Sequence, residues 1–182
     1  MIPRDGTTFR GQRILSDGEA LTRAIVEAEI EHVSANDSEA FAWFSSFATG
    51  TTDIEVLTIQ NDHPTKQLVI ERIWLAVADT AILTIGHVTS GVPAGTVATP
   101  TCLNRGAIKT AQATAFGNAS VTGTVVVASI WEVPLVADAV PYILRTGGAL
   151  LLGKDDIFGI SCSASTTPRI TVFGYFADPL EL

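Results

Sequence analysis

The sequence contains little charge for its size. Lysine, arginine, aspartate and glutamate together make up 16% of the 182 residues, whereas apolar residues make up 47%. A chain with this much apolar material can form a packed core, and its length is typical of a single domain. Because few charges are available to cover the surface, we expect neutral surface regions that are buried against copies of the chain or another protein.

Clusters of basic residues are also missing. The net charge is −8 and the eleven basic residues are scattered, with the closest group formed by Arg4, Arg10 and Arg13. Nucleic acids and anionic membranes attract clustered lysine and arginine, so we expect neither as a partner. The three arginines could pair with acidic groups on a neighbour or belong to a solvated arm, and the sequence leaves both alternatives open.

Cysteine is scarce as well. Cys102 and Cys162 lie far apart and form no Cys-x-x-Cys pair, which argues against a disulfide framework and against a zinc site. We expect no secretory signal peptide, and the sequence has no apolar run of about 18 residues. These features predict two mostly buried thiols in a soluble protein that is synthesised in a cytoplasm.

Local signatures of common enzymes are absent. The chain has no Gly-x-Ser-x-Gly, no phosphate-binding or dinucleotide-binding glycine motif and no His-Glu-x-x-His. His32, His63 and His87 lack metal-ligand spacing, so turn or half-buried strand positions explain them better. The Ser-Cys-Ser run at 161–163 is explained by small residues alternating in a strand. We therefore predict no enzyme activity, catalytic residue, metal site or cofactor.

Two groups of acidic residues could have either a structural role or a role in binding a cation. Glu27, Glu29 and Glu31 form one group, and Asp155 and Asp156 form the other. Either could bind calcium if loops converged on its carboxylates, but neither has the register of a calcium-binding loop. A solvated strand face and a polar turn are the favoured interpretations.

The aromatic residues also allow two interpretations. They could form a stacking platform for a sugar or a base. Because most of them lie inside apolar strands, positions in the core or at a subunit interface are favoured. The residues concerned are Phe41, Trp43, Phe44, Phe47, Trp74 and Trp131.

The sequence is rich in patterns that are typical of β-strands. Short stretches rich in β-branched residues recur between turns that contain Gly, Pro or Asn, and no helices alternate with them. This pattern favours an all-β antiparallel sandwich, with a jelly roll as the first choice. Residues 89–118 predict a long surface excursion with one short strand. The other predicted strands are 41–47, 54–59, 67–77, 81–88, 121–133 (ending at Pro134), 142–144, 149–152, 157–163 and 169–177.

The N-terminal region differs from the rest of the chain. Residues 1–18 are rich in turn formers and predict an extended arm that docks on a neighbour, followed by one domain over 19–182. Residues 19–33 fit both a helix and a strand. The strict alternation from Val26 to Glu31 favours a strand from about 24 to 33.

Several short stretches form a pattern known from another group of proteins. In that group Asn-Arg closes a strand before a variable loop, as Asn104-Arg105-Gly106 precedes one here. The other stretches are Glu31-His32 followed by Glu39-Ala40-Phe41, the strand 55–59, the run from Gly95-Thr96 to Leu103, the turn Thr122-Gly123-Thr124 and the closing short strands. Together they resemble jelly-roll virion proteins of tailed bacteriophages. The sequence departs from the pattern near its end, where Gly159, Gly174 and Asp178-Pro179 replace a more aromatic ending.

This resemblance implies a non-enzymatic building block of a virion. It implies a capsid decoration or cement protein on the outer capsid surface, which binds the major capsid protein and forms a homo-oligomer, commonly a trimer. A tail, baseplate or fibre component that binds a host receptor or glycan is the alternative. A small jelly-roll metalloenzyme is a third class, against which the scattered histidines argue.

Overall fold

The computed structural model consists of β-strands and connecting loops. It describes residues 12–14, 20–22, 39–49, 54–91, 93–104, 106, 109–117, 126–137 and 140–179. Within these ranges no helix is long and apolar enough to cross a membrane. The strands are β1 (Gln12–Ile14), β2 (Ala20–Thr22), β3 (Ala40–Ser46), β4 (Ile54–Asn61), β5 (Gln67–Ala76), β6 (Ala81–Ser90), β7 (Thr96–Val97), β8 (Thr101–Cys102), β9 (Ala113–Gly117), β10 (Val126–Leu135), β11 (Tyr142–Leu152), β12 (Ile157–Cys162) and β13 (Arg169–Ala177).

Most of these strands pair into two antiparallel sheets. The six-stranded sheet has the order β10-β6-β12-β4-β9-β7, and the five-stranded sheet has the order β11-β5-β13-β3-β8. Among the described strands, β1 and β2 pair only with each other. The two larger sheets pack face to face as a sandwich, which confirms the prediction of an all-β antiparallel sandwich.

One apolar core fills the space between the two sheets. Because successive strand residues point to opposite faces, alternate residues of each strand enter it. Leu57 and Ile59 come from the six-stranded sheet, and Trp43, Ile170 and Val172 come from the five-stranded sheet. All five are completely buried. Burial of each such side chain stabilises the folded state by about 1.5–3 kcal/mol.

The predicted strands agree well with the observed ones where the pattern is regular. The strand predicted at 169–177 is β13 with the same ends. Those predicted at 41–47, 54–59, 67–77, 81–88 and 157–163 overlap β3, β4, β5, β6 and β12.

The turn predicted at Gly147-Gly148 does not divide this region into two strands. Strand β11 continues through both glycines, which have φ values of 61° and 77°. The register against β5 shifts between Arg145 and Leu150, so the glycines form a bulge within one strand. Glycine adopts positive φ without a steric penalty, and this bulge has positive φ at both glycines.

Two further boundaries differ from the predictions. Strand β10 does not end before Pro134 but includes it, paired with Ile82. Because β10 is an edge strand among the described residues, one of its sides has no described neighbour in the sheet, and a proline is tolerated there. The described part of the excursion predicted at 89–118 contains three short strands, β7, β8 and β9, instead of one.

The N-terminal predictions fall mainly outside the described residues. Within the predicted arm at 1–18, residues 12–14 form β1, which pairs with β2 in antiparallel register. Residues 20–22 form β2, so this part of 19–33 is a strand. The strand predicted at 24–33 lies outside the described residues.

A buried asparagine ties the β4–β5 connection to the β11–β12 connection at one end of the sandwich. The Asn61 side chain is fully buried, and its Nδ2 donates to the carbonyl oxygens of Lys66 (3.0 Å), Leu152 (2.9 Å) and Gly153 (3.2 Å). Its Oδ1 accepts from the backbone N–H of His63 at 3.0 Å. The turn that the sequence predicts at 61–64 is thus confirmed. The Asn61 side chain also binds this turn to the end of β11.

Candidate interaction surfaces

The outer face of the five-stranded sheet carries a row of exposed apolar side chains. Directly paired residues share a face of a sheet, and the register places Ile143, Trp74, Thr171 and Phe44 side by side across four strands. Their exposed fractions are 48% for Ile143, 41% for Trp74 and 58% for Phe44. Large apolar side chains grouped in this way are typical of a surface that binds another macromolecule.

The next row on the same face combines arginine with an aromatic ring. Arg145 pairs with Arg72, which pairs with Phe173. The Arg72 guanidinium carbon lies 5.9 Å from the centre of the Phe173 ring, and the Trp74 ring meets the same ring edge-on at 5.2 Å. Arg72 Nε is buried without a hydrogen-bond partner among the described residues. Phe44, Trp74, Ile143, Arg72 and Arg145 are called the aromatic-arginine face below.

The outer face of the six-stranded sheet has the opposite character. Its register places Glu132, Thr84, Ser161 and Glu55 in one polar row. Glu55 is buried, and burial raises the pKa of its carboxyl group, although a hydrogen bond from its own backbone partly opposes this shift. The sandwich therefore presents an aromatic, arginine-bearing row on one side, whereas the outer face of the other sheet combines a polar row that contains exposed Glu132 and buried Glu55 with exposed Ile82.

An open groove lies where the two sheets meet along β3. It has a volume of about 310 Å³. Val97, which lines it, is 65% exposed, and Ser45 Oγ donates to the carbonyl oxygen of Val56 across the gap between the sheets. We call it the edge groove. Its lining residues are Phe44, Ser45, Ser46, Phe47, Thr96, Val97, Ala98 and Gly117.

A separate polar cavity lies near the start of β3. It has a volume of about 210 Å³ and is lined by Glu39, His63, Lys109 and Gln112, among others, beside the nearly buried ring of Phe176. The His63 ring lies 5.3 Å from that ring, and its Nδ1 accepts hydrogen bonds from the backbone N–H groups of the turn that follows it. We call this the Glu39 cavity.

Two lysines hold the carboxylate of this cavity. Glu39 Oε2 lies 2.5 Å from Lys66 Nζ, and Oε1 lies 3.2 Å from Lys109 Nζ. Burial by itself raises the pKa of Glu39, but the hydrogen bonds and positive charges of the two lysines outweigh burial and place this pKa below its ordinary value of 4.5. The ionised carboxylate is therefore favoured in the folded state.

Replacing the Glu39 carboxylate should make the free energy of unfolding depend less on pH in acid. We expect Glu39→Gln to lower the free energy of unfolding at pH 7 by about 1 kcal/mol, because a partly buried ion pair is lost. In the wild type, the folded state binds fewer protons than the unfolded chain, so this contribution is present above pH 4.5 and disappears as the pH falls through the lowered pKa.

Urea unfolding of both proteins between pH 3 and pH 7 measures the effect. Glu132→Gln, at an exposed glutamate of the opposite face, is the control and should leave the curve nearly unchanged. A difference between Glu39→Gln and the wild type that stays constant down to pH 3 would contradict the prediction.

The described histidines lie where the sequence predicts them. His63 is in the turn after β4, and His87 is a half-buried residue of β6. His32 is outside the described residues. Within the described part of the chain, no three His, Cys, Asp or Glu side chains come close enough together to hold a metal ion.

The acidic groups and the thiols do not converge on one place. Asp155 and Asp156 form part of the predicted turn, where Asp156 Oδ2 accepts from the backbone N–H of Gly153 at 2.8 Å. Glu27, Glu29 and Glu31 lie outside the described residues, as do the side chains of Arg4, Arg10 and Arg13. Cys162 is buried within β12, Cys102 is half-buried in β8, and the two are not joined by a disulfide.

The aromatic residues divide between the core and the surface. Phe41 and Trp43 are buried in the core, and Phe47 and Trp131 pack against it. Phe44 and Trp74 point outward. Sequence reasoning missed that these two share a row, because strand pairing between residues far apart in the chain decides it. Comparison of the chain with protein-family models, with curated proteins and with solved structures found no match.

Proposed function

We propose that this chain is a non-enzymatic structural protein of a tailed-bacteriophage particle. It acts as a capsid decoration protein that binds the major capsid protein on the outer shell and stabilises the shell through subunit interfaces. The observation that carries this proposal is the aromatic-arginine face. Tryptophan, phenylalanine and arginine are enriched at protein interfaces and at the positions that contribute most to binding.

The order of the strands supports a jelly-roll form of the sandwich. The antiparallel pairs are nested: β6 with β10, β5 with β11, β4 with β12 and β3 with β13. The chain from β3 to β6 thus pairs in reverse order with the chain from β10 to β13, like a long hairpin rolled into two sheets. The jelly roll is a two-sheet architecture of this kind, with eight strands.

The low charge of the chain supports assembly from several copies. A stable interface buries about 800 Å² on each partner. Repetition around a shell lets contacts that are weak individually hold the protein in place by avidity. The proposed unit is a homo-oligomer, a trimer in its simplest form, with additional contacts to the shell.

Electron cryo-microscopy of the particle whose genome encodes this chain tests the location. We expect sandwich-sized density repeated on the outer capsid surface. Its absence from the capsid would overturn the proposed decoration role. Light scattering of the purified chain should give a mass near three times 19.2 kDa.

A pair of variants tests the proposed binding face. Ile143→Asp places a charge on the aromatic-arginine face, whereas Ile82→Asp places one on the outer face of the other sheet, at a side chain that is similarly exposed. We expect Ile143→Asp to weaken binding to shells that lack the protein by at least tenfold, because the charge must be desolvated at the interface. Ile82→Asp should bind like the wild type. Equal binding by both variants would place the contact elsewhere.

The Glu39 cavity supports a second candidate function. Carboxylate, imidazole, ammonium and amide groups converge there beside aromatic rings, as in sites that orient a small polar ligand. A tail, baseplate or fibre component could bind a host glycan or receptor group in this way. A glycan array probed with the wild type and with Lys109→Ala tests it: binding by the wild type that the variant loses would favour this role, and no binding would exclude it for the glycans on the array.

A further inference from the structure

We infer that the connection between β10 and β11 of one copy of this chain inserts into the edge groove of a neighbouring copy, so that copies join head to tail in a closed ring. The inference rests on the proposed self-association and names the two surfaces that meet. The connection is called the valine tip below, and its described residues are Val136, Ala137, Val140 and Pro141.

The first observation is where the most exposed apolar side chains lie. Among the described large apolar residues, the four with the greatest exposed fractions are Val140 (89%), Val136 (66%), Val97 (65%) and Phe44 (58%). The first two belong to the valine tip, and the other two line the edge groove. A side chain as exposed as Val140 projects from the surface, whereas the groove is concave. Burying the tip in the groove would therefore cover the four apolar side chains that are most in contact with water.

The second observation is that the two surfaces lie on opposite edges of the sandwich. The valine tip joins β10 and β11, and each of these is the last described strand at one edge of its sheet. The groove is lined by β3 and β7, which lie at or next to the other edge of their sheets. The tip is thus separated from the groove of its own chain by the width of the sandwich, and the groove that it can enter belongs to a second copy.

The third observation is a series of hydrogen bonds that holds both surfaces at the same end of the sandwich. Thr49, which follows β3 just beyond the groove, exchanges two hydrogen bonds with Thr166, of 2.7 and 2.8 Å. Thr166 Oγ1 accepts from the backbone N–H of Asp79 at 2.8 Å. The next residue, Thr80, accepts at Oγ1 from the backbone N–H of Ala137 in the valine tip, at 3.3 Å. We call this series the threonine belt, and it crosses the sandwich from the groove to the tip.

These positions determine the symmetry of the assembly. A contact between two different surfaces repeats from copy to copy, and it produces a ring if the rotation closes or a helical filament if it does not. Because the threonine belt holds the tip and the groove at the same end, successive copies stand side by side with little displacement along the axis. This favours a closed ring, of which the proposed trimer is the simplest case.

The distribution of charge agrees with the same contact. None of the described residues that line the groove is charged, and the segment 133–144 contains one charged residue, Asp138, whose side chain lies outside the described residues. Insertion of the tip therefore desolvates little charge. The charges that border the two surfaces are opposite: exposed Arg169 pairs with Ser46 of the groove, and exposed Asp79 lies in the threonine belt on the side of the tip. Opposite charges across a contact fix its register.

The first test measures self-association of the full chain by light scattering over a dilution series. Val97→Lys places a charge in the groove, and Val140→Lys places one in the tip. We expect each to raise the midpoint concentration of dissociation at least tenfold, because the contact would have to desolvate an unpaired charge. Ile82→Lys is the matched control and should leave the midpoint unchanged, because Ile82 is 44% exposed on the outer face of the six-stranded sheet. Circular dichroism checks that each variant is folded.

Mixing the two variants tests whether a tip meets a groove and not another tip. The tip of Val97→Lys and the groove of Val140→Lys are both unaltered, so the mixture offers one intact contact, whereas neither variant alone offers any. Fluorescence anisotropy of labelled Val97→Lys should show at least tenfold tighter binding to Val140→Lys than to unlabelled Val97→Lys. Equal binding to the two would overturn the inference.

Two results of the dilution series would also overturn it. A monomeric wild type would leave no contact to assign. An oligomer that withstands both Val97→Lys and Val140→Lys would show that copies join through other surfaces, while leaving the proposed self-association standing. The decoration role is tested separately by the density on the capsid, so its failure and the failure of this contact can be told apart.

Discussion

Trp43→Ala should lower the free energy of unfolding by about 3–5 kcal/mol, whereas Trp74→Ala should lower it by less than about 1 kcal/mol. Trp43 has no exposed surface and packs against Phe41, with ring centres 6.1 Å apart. Removing its indole leaves a cavity in a close-packed core. Trp74 lies in the outer row of the same sheet, where it is 41% exposed and its removal loses an edge-on contact with Phe173. The two substitutions are identical and alter opposite faces of one sheet.

Chemical denaturation and thermal unfolding measure this contrast. For a chain of this size, the loss at Trp43 corresponds to a fall in melting temperature of roughly 10 °C. Trp43→Phe should cost much less than Trp43→Ala, because it keeps a ring in the core and removes an indole N–H that has no partner among the described residues. Equal destabilisation by Trp43→Ala and Trp74→Ala would contradict the assignment of the two faces.

The regular strands could be predicted from the sequence because their signals are local. In β13, Ile170 and Val172 alternate with Thr171 and Phe173, and this alternation gives both the strand and the face that enters the core. The turn at 61–64 was equally predictable, since asparagine, aspartate and proline favour turns for known steric and hydrogen-bonding reasons.

The parts that could not be predicted depend on contacts between distant residues. Gly147-Gly148 has the composition of a turn, and only pairing with β5 on both sides makes it a bulge. From the sequence, Pro134 predicts the end of a strand. It can lie within β10 because β10 is at the edge of its sheet among the described strands. The candidate surfaces show the same limit: the alternation in β3 places Phe44 on the outer face, but the register of four strands is needed to set it beside Thr171, Trp74 and Ile143.

Asn61 is a single polar side chain that makes several long-range hydrogen bonds, so we expect it to contribute strongly to the free energy of unfolding. Its amide nitrogen donates to three carbonyl oxygens and its amide oxygen accepts one backbone N–H. Its own backbone N–H and C=O also bond to Asp156 and Asp155 in the turn before β12. We expect Asn61→Ala to cost about 3 kcal/mol, because several buried backbone groups lose their partner at once.

Asn61→Asp should be more destabilising still at neutral pH, and its defect should shrink in acid. A carboxylate at this position faces the carbonyl oxygens of Lys66, Leu152 and Gly153, which repel it. Its pKa in the folded state should therefore lie above the value of about 3.9 for an unfolded aspartate. The folded variant then binds more protons than the unfolded one, so its stability relative to the wild type falls as the pH rises from about 4 through the raised pKa.

Urea unfolding of Asn61→Asp, Asn61→Ala and the wild type between pH 3 and pH 8 measures this dependence. Gln112→Glu makes the same change from amide to carboxyl at an exposed side chain and should show no comparable loss. The stability difference between Asn61→Ala and the wild type should stay nearly constant across the range, because alanine carries no titrating group. If Asn61→Asp lost the same free energy of unfolding at pH 3 and at pH 8, the introduced carboxyl group would not face these carbonyl oxygens. Contacts other than the Asn61 side chain would then have to hold the 61–64 turn against the end of β11.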